Sequence, residues 1–155
     1  MDRAERVRAL VADVPDPEIP ALTIEDLGIL SAVREDGDTL VVEITPTYSG
    51  CPALEAIRED VERRLRDHGH TGVEVRTVLA PAWTTDRITE RGRRRLAETG
   101  IAPPPPPHEH PTGVPCPQCG EPDTELLSRF AATPCQALRR CGACREPFAH
   151  LRAHR

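Results

Sequence analysis

The chain has no lysine. All 20 basic residues are arginine, set against 25 Asp and Glu, for a formal net charge of −5. An acidic chain with no basic run is a poor partner for nucleic acid or for an acidic membrane surface. Aromatic residues make up only 3 %, so no large aromatic cluster can dominate the core. No stretch approaches the roughly 20 apolar residues that span a bilayer. Met1 to Leu10 alternates charge and lacks an apolar h-region, so no export signal is expected. No Ser/His/Asp arrangement and no glycine-rich phosphate loop appears. These absences point to a cytoplasmic protein, with no nucleic acid and no membrane as partner. In that compartment the 6 cysteines read as reduced thiols and metal ligands rather than as three disulfides.

What is present divides the chain. At 155 residues the length suits one domain, or one domain plus a small module. Pro103 to Pro107 is an uninterrupted proline run, which favours extended polyproline II and reads as a spacer. Five of the six cysteines lie beyond it. The expected organisation is a domain over 1–100, a Pro-rich linker over 101–114 and a small module over 115–155. The acidity belongs to the first part: residues 1–102 carry 14 Arg against 20 acidic residues.

Hydrophobic periodicity orders the first domain. Val7, Leu10, Val11 and Val14 predict a helix over about 2–13. Pro15, Pro17 and Pro20 then exclude regular structure. A strand over Gly28 to Arg34, the turn signal Asp36-Gly37, and alternation through Leu40, Val42 and Ile44 predict a hairpin. Leu54, Ile57, Val61 and Leu65 form a helical stripe, and Val73, Val75, Thr77 and Leu79 alternate as a third strand. A last helix is expected over 86–98. The fold class is α+β: a small two-layer α-β-β-α-β-α domain with a short mixed sheet, followed by a β-rich ribbon.

The strongest chemical signal is Cys116-Pro-Gln-Cys119 followed by Cys141-Gly-Ala-Cys144. Each CxxC turn aims two thiolates at one ion, and four sulfurs complete a tetrahedron. Gly120 and Gly142 read as turn residues. Zinc as a structural cofactor fits the pattern; rubredoxin-like iron is the other metal it admits, and two disulfides the non-metal reading. So short a module has little core, so the metal would supply folding energy. A closed four-thiolate site leaves no open coordination position for catalysis. Cys135 stands outside the pairs, either as a small buried residue or as an alternate ligand or redox thiol.

A second signal is Thr45-Pro-Thr-Tyr-Ser-Gly-Cys-Pro-Ala53, between the second strand and the long helix. Pro52 suits the first helical position, which would put Cys51 at the N-cap, where unpaired N–H groups and the helix dipole lower a thiol pKa. Cys51 is then a reactive thiol, a soft-metal ligand, or a small buried residue at a corner. Asp16 and Glu18, with Glu25 and Asp26, place carboxylates near a proline-constrained loop. They suit hard-metal ligation, partner docking or plain solvation. A Cys51 nucleophile acting on a thioester would need a base. His68 and His70 lie at the far end of the helix, roughly 25 Å off at 1.5 Å per residue. His108 and His110 follow the proline run and read as linker.

The order of segments is specific. Asp16-Pro-Glu-Ile-Pro, Asp26-Leu-Gly-Ile-Leu, the motif around Cys51, Ala80-Pro-Ala-Trp-Thr-Thr-Asp86, Gly100-Ile-Ala-Pro-Pro and the Cys116–Phe148 module together resemble the PaaD family over about 15–148. These are accessory subunits encoded with the bacterial phenylacetyl-CoA epoxidase. The N-terminal part resembles the domain shared with SufT and with cytosolic iron–sulfur assembly factors. The resemblance implies a non-catalytic accessory or maturation subunit of that epoxidase in phenylacetate catabolism. Its partners would be the di-iron oxygenase or the flavin and iron–sulfur reductase. Cys51 matches the family's characteristic cysteine, implied to handle transient iron or a cluster. Asp16 and Glu18 match its acidic signature, and Cys116, Cys119, Cys141 and Cys144 its zinc ligands. Where many relatives are expected to carry Trp, this chain has Arg87. A homodimer is compatible with the pattern.

Overall fold

The computed structural model describes residues 2–47, 53–104, 114–131 and 136–152. Two compact units divide the chain, Met1–Thr89 and Glu90–Arg155.

The first unit opens with α1 (Arg3–Val11). A reciprocal cap starts it: Asp2 Oδ1 accepts from the Glu5 N–H at 2.8 Å, and Glu5 Oε2 accepts from the Asp2 N–H at 3.0 Å, satisfying donors that the first turn leaves open. Val7 and Val11 are the buried face. Strands β1 (Leu30–Asp36) and β2 (Thr39–Ile44) form the expected hairpin, antiparallel. Helix α2 (Ala53–Asp67) then crosses to β3 (Val73–Thr77), which pairs parallel with β2. The mixed sheet is therefore ordered β1-β2-β3.

Three of the four residues in the stripe that predicts α2 are buried, Ile57, Val61 and Leu65; Ala53 takes the fourth place, and Leu54 is only half-buried. Each large apolar side chain taken from water contributes about 2 kcal/mol. Together with Leu40, Val42 and Ile44 of β2 and with Leu22 and Ile24 of the preceding loop, they make the core. The arginines of α2 pair locally and across the unit, Arg58 with Glu55, Arg63 with Asp60 and Arg64 with Asp13.

The second unit begins with α3 (Glu90–Glu98). Its start is later than the pattern suggests, because Thr85–Arg87 is a separate 3-10 turn. Ile101–Ala102, expected as linker, is a two-residue strand β4 that pairs parallel with β7. The ribbon strands are β5 (Thr124–Ser128), β6 (Gln136–Cys141) and β7 (Pro147–Leu151), all antiparallel, in the order β4-β7-β6-β5. Ala102, Cys116, Cys141 and Phe148 form a small buried cluster with Val114 packed on it. Most of the proline run, with His108 and His110, lies outside the described residues. No helix among the described residues is long and apolar enough to cross a membrane.

Candidate functional site

The sulfurs of Cys116, Cys119, Cys141 and Cys144 all lie within 4.8 Å of one another. Cys116 Sγ and Cys144 Sγ are 3.7 Å apart, Cys119 Sγ and Cys141 Sγ 3.5 Å. A tetrahedron of sulfurs about 2.3 Å from a central ion has edges of about 3.8 Å, so the four thiols fit a zinc ion. Each pair comes from one tight turn. In the first, Gly120 N–H donates to Cys116 O at 2.8 Å and Cys116 N–H to Glu121 O at 2.9 Å. In the second, Cys141 N–H donates to Glu146 O at 3.0 Å. Backbone N–H groups also point at sulfur: Gln118 at Cys116, and Ala143 and Cys144 at Cys141. Such donors stabilise negative charge on the ligands.

The glycines serve different ends from those the pattern suggests. Gly120 has φ +79°, which completes the first turn. In the second turn the left-handed residue is Arg145, φ +66°. Gly142 is instead a contact position, where a Cβ would stand 2.9 Å from Asp123 O. Nothing in the residue type marks Arg145; its place after the second CxxC, matching Gly120 after the first, is the signal that finds it.

Without an ion the four thiols cannot all be charged. Burial raises Cys141, but the N–H groups of Cys144 and Ala143 and the neighbouring sulfurs outweigh it and bring the thiol down to about 7. The Glu146 N–H pulls Cys144 down, yet burial and three adjacent sulfurs push it up to about 12. A divalent cation reverses that repulsion and drives off the remaining protons.

A second region forms at one end of the first unit's sheet. Strands β2 and β3 are parallel and β1 runs against them, so Leu30, Ile44 and Thr77 share that end. The signature segments are tied to it by hydrogen bonds. Asp16 N–H donates to Leu22 O, and Ile24 O accepts from Ile29 and Leu30. Thr45, the first residue of the Cys51 motif, donates its N–H to Ile29 O at 2.8 Å. Trp83 Nε1 donates to Leu27 O at 2.7 Å, and Thr89 N–H to Asp26 O at 2.9 Å. Asp26 and Thr23 cap one another.

The Asp16 side chain is buried, 6 % exposed, and its Oδ2 accepts from Ile19 and Glu18 N–H at 2.8 and 3.1 Å. Burial raises its pKa although both N–H donors oppose this. Glu18 is raised by burial and then by Asp16. Two carboxylates whose charge is disfavoured would gain from a cation. They are not joined by a third metal donor among the described residues, where the four cysteines are the one group of three or more. Arg87 Nη2 donates to Ser31 Oγ at 2.8 Å, and Ser31 shares a hydrogen bond with Thr45 Oγ1. Arg87 Nη1 is buried without a hydrogen-bond partner. Cys51 and Cys135 lie outside the described residues. His68 Nδ1 lies 2.9 Å from Arg64 O at the close of α2.

Known proteins resemble the chain along almost its whole length. A protein of Escherichia coli (strain K12), named for its place among the components of a 1,2-phenylacetyl-CoA epoxidase, is 45 % identical over 153 residues, covering 97 % of this chain and 93 % of that protein. The chain belongs to the PaaD family. Residues 102–152 match the PaaD zinc beta ribbon domain and residues 4–79 the iron–sulfur cluster assembly protein family. The PaaD pairing of modules thus accounts for both regions, one on each unit. An Fe-S protein maturation auxiliary factor of Porphyromonas gingivalis (strain ATCC BAA-308 / W83) is 33 % identical over 94 residues, 59 % of this chain and 89 % of that protein. Among solved structures, a domain of unknown function (DUF59) from Bacillus anthracis superposes with a TM-score of 0.55 at 28 % identity, covering 60 % of this chain and 90 % of that one. A conserved hypothetical protein from Thermotoga maritima gives 0.50 at 26 %, covering 62 % and 94 %.

Proposed function

We propose that this PaaD-family chain is a non-catalytic, cytoplasmic accessory subunit of a phenylacetyl-CoA epoxidase system, and that it helps load an iron–sulfur or di-iron centre of the oxygenase or reductase. The observation that carries this reading is the 45 % identity to the E. coli epoxidase component across both modules. The likeness to an Fe-S protein maturation auxiliary factor over 94 residues, with the match of residues 4–79 to the iron–sulfur cluster assembly protein family, supports the loading role. In this reading the ribbon zinc is structural: four thiolates fill its coordination shell and leave no position for substrate.

Cys51 is the transient ligand of the cargo, assisted by Asp16 or Glu18. One thiolate with few fixed partners holds iron weakly, which suits a carrier and not a permanent site. The Asp16–Glu18 loop, Thr45 at the head of the motif and the unspent Arg87 N–H are tied to one sheet end, as a site for a charged cargo requires. The test is Cys51→Ala in cells making the epoxidase subunits. The variant should keep its fold and one zinc per chain, while iron and sulfide in the purified oxygenase and reductase fall severalfold. Full metal content in both clients would refute the carrier role.

A further inference from the structure

We propose that β5 of the ribbon is the contact strand of a two-fold homodimer, its occupant a second copy of this chain. β5 is the outer strand of its sheet and pairs with β6 alone. Leu126 and Leu127 on it are 51 % and 42 % exposed, and Phe130 just beyond is 61 % exposed. A strand edge that shows apolar side chains is a template for another chain.

The charge pattern says which chain. Glu125 and Arg129 flank Leu127 symmetrically, two residues to either side. Two β5 strands set antiparallel about an axis at Leu127 bring Leu127 against its own copy and Leu126 against Ser128, and set Glu125 beside the bend just past the copy's β5, which carries Arg129. The strand together with the bend that follows it is its own electrostatic complement in that arrangement, the condition for a self-matching two-fold contact. Glu125 is already fixed by Arg140, whose Nη2 lies 2.9 Å from Oε1. Arg129 has no acidic partner among the described residues. In the dimer each Glu125 lies between Arg140 of its own chain and Arg129 of the copy.

The irregularity of β5 fits a closed pair rather than a fibre. Register shifts between Leu126 and Ser128, so Leu127 is the extra residue of a bulge, and a bulged edge resists a long backbone ladder. The contact therefore rests on side chains and closes after two copies. Arg152 stacks over the Phe130 ring, 5.3 Å from its centroid, and holds that ring beside the patch.

The experiment is sedimentation equilibrium on full-length, zinc-loaded protein over a concentration series. The mass should rise from one 17.1 kDa chain toward twice that value. Leu127→Glu and Arg129→Glu should each weaken the dimer about tenfold or more. A triple exchange, Glu125→Arg with Arg129→Glu and Arg140→Glu, returns every pair with its sign reversed and should restore wild-type association. One zinc per chain in each variant shows that the ribbon still folds. A wild-type monomer throughout the series, a dimer indifferent to Leu127→Glu, or a triple exchange that stays dissociated would each overturn the proposal.

Discussion

Gly28 shows how a single residue can be fixed by a distant one. Its φ is +73°, and a Cβ there would stand 2.5 Å from the carbonyl oxygen of Arg87 and 2.6 Å from its Cβ. Neither neighbour is free to yield. The Arg87 N–H is bonded to Thr84 O, and the Trp83 indole is bonded to Leu27 O. Gly28→Ala therefore meets both a left-handed backbone and a backbone clash, and should destabilise the first unit by about 2–3 kcal/mol. Urea unfolding of the variant checks this; a loss under about 1 kcal/mol would mean that the 85–87 turn shifts freely. Pattern alone puts Gly28 at the start of a strand, whereas β1 begins at Leu30. The error has a physical source: what makes glycine necessary here is residue 87, which no local window contains. The four cysteines are the opposite case. Their role follows from spacing, because the metal's coordination demand is written into the CxxC repeat itself.

Elements were legible where burial is periodic. Helix α2 and the β1–β2 hairpin follow from a four-residue stripe and an alternation, since each packs one continuous face. Strand β4 was not legible. Ile101 and Ala102 have no period between a glycine and a run of prolines, and they become a strand by pairing with Ala149 and His150 of β7. That same strand β7 carries an acid-sensitive group. His150 is 8 % exposed with Nε2 unpartnered. Burial first, then the charges of Arg139 and Arg152, bring it from 6.5 down to about 4. The unfolded chain thus binds a proton that the folded ribbon refuses between those values. The sign follows: the contribution is complete above pH 6.5 and is lost as pH falls toward 4, on the order of 3 kcal/mol. His150→Leu should flatten that limb. Because the thiols also take up protons on acidification, the readout is the difference between wild type and variant at saturating zinc. Parallel profiles would show that His150 protonates freely in the folded ribbon.

For the whole molecule, the two units differ in what holds each together and in charge. Met1–Thr89 has 10 Arg against 18 acidic residues, and Glu90–Arg155 has 10 Arg against 7. The first unit has a core of its own, with Val7, Val11, Val14, Leu22, Ile24, Leu40, Val41, Val42 and Ile44 all closed to solvent. The ribbon cluster is Ala102, Cys116, Cys141 and Phe148; half of it is metal ligand. Removing the ion strips the ribbon of its tie and lets the thiols take protons back, so its folding free energy is largely that of metal binding. Titration with a strong chelator should therefore produce two separate responses. Amide resonances from the ribbon strands collapse to unfolded positions, while those of residues 4–79 stay dispersed and their thermal midpoint shifts by no more than about 2 °C. Returning one equivalent of zinc restores the ribbon. Loss of both sets of resonances in one transition would mean that the first unit draws its stability from the metal as well. A ribbon that stays folded without metal would mean that β4, α3 and the small cluster suffice, and would leave the four cysteines free for exchange chemistry.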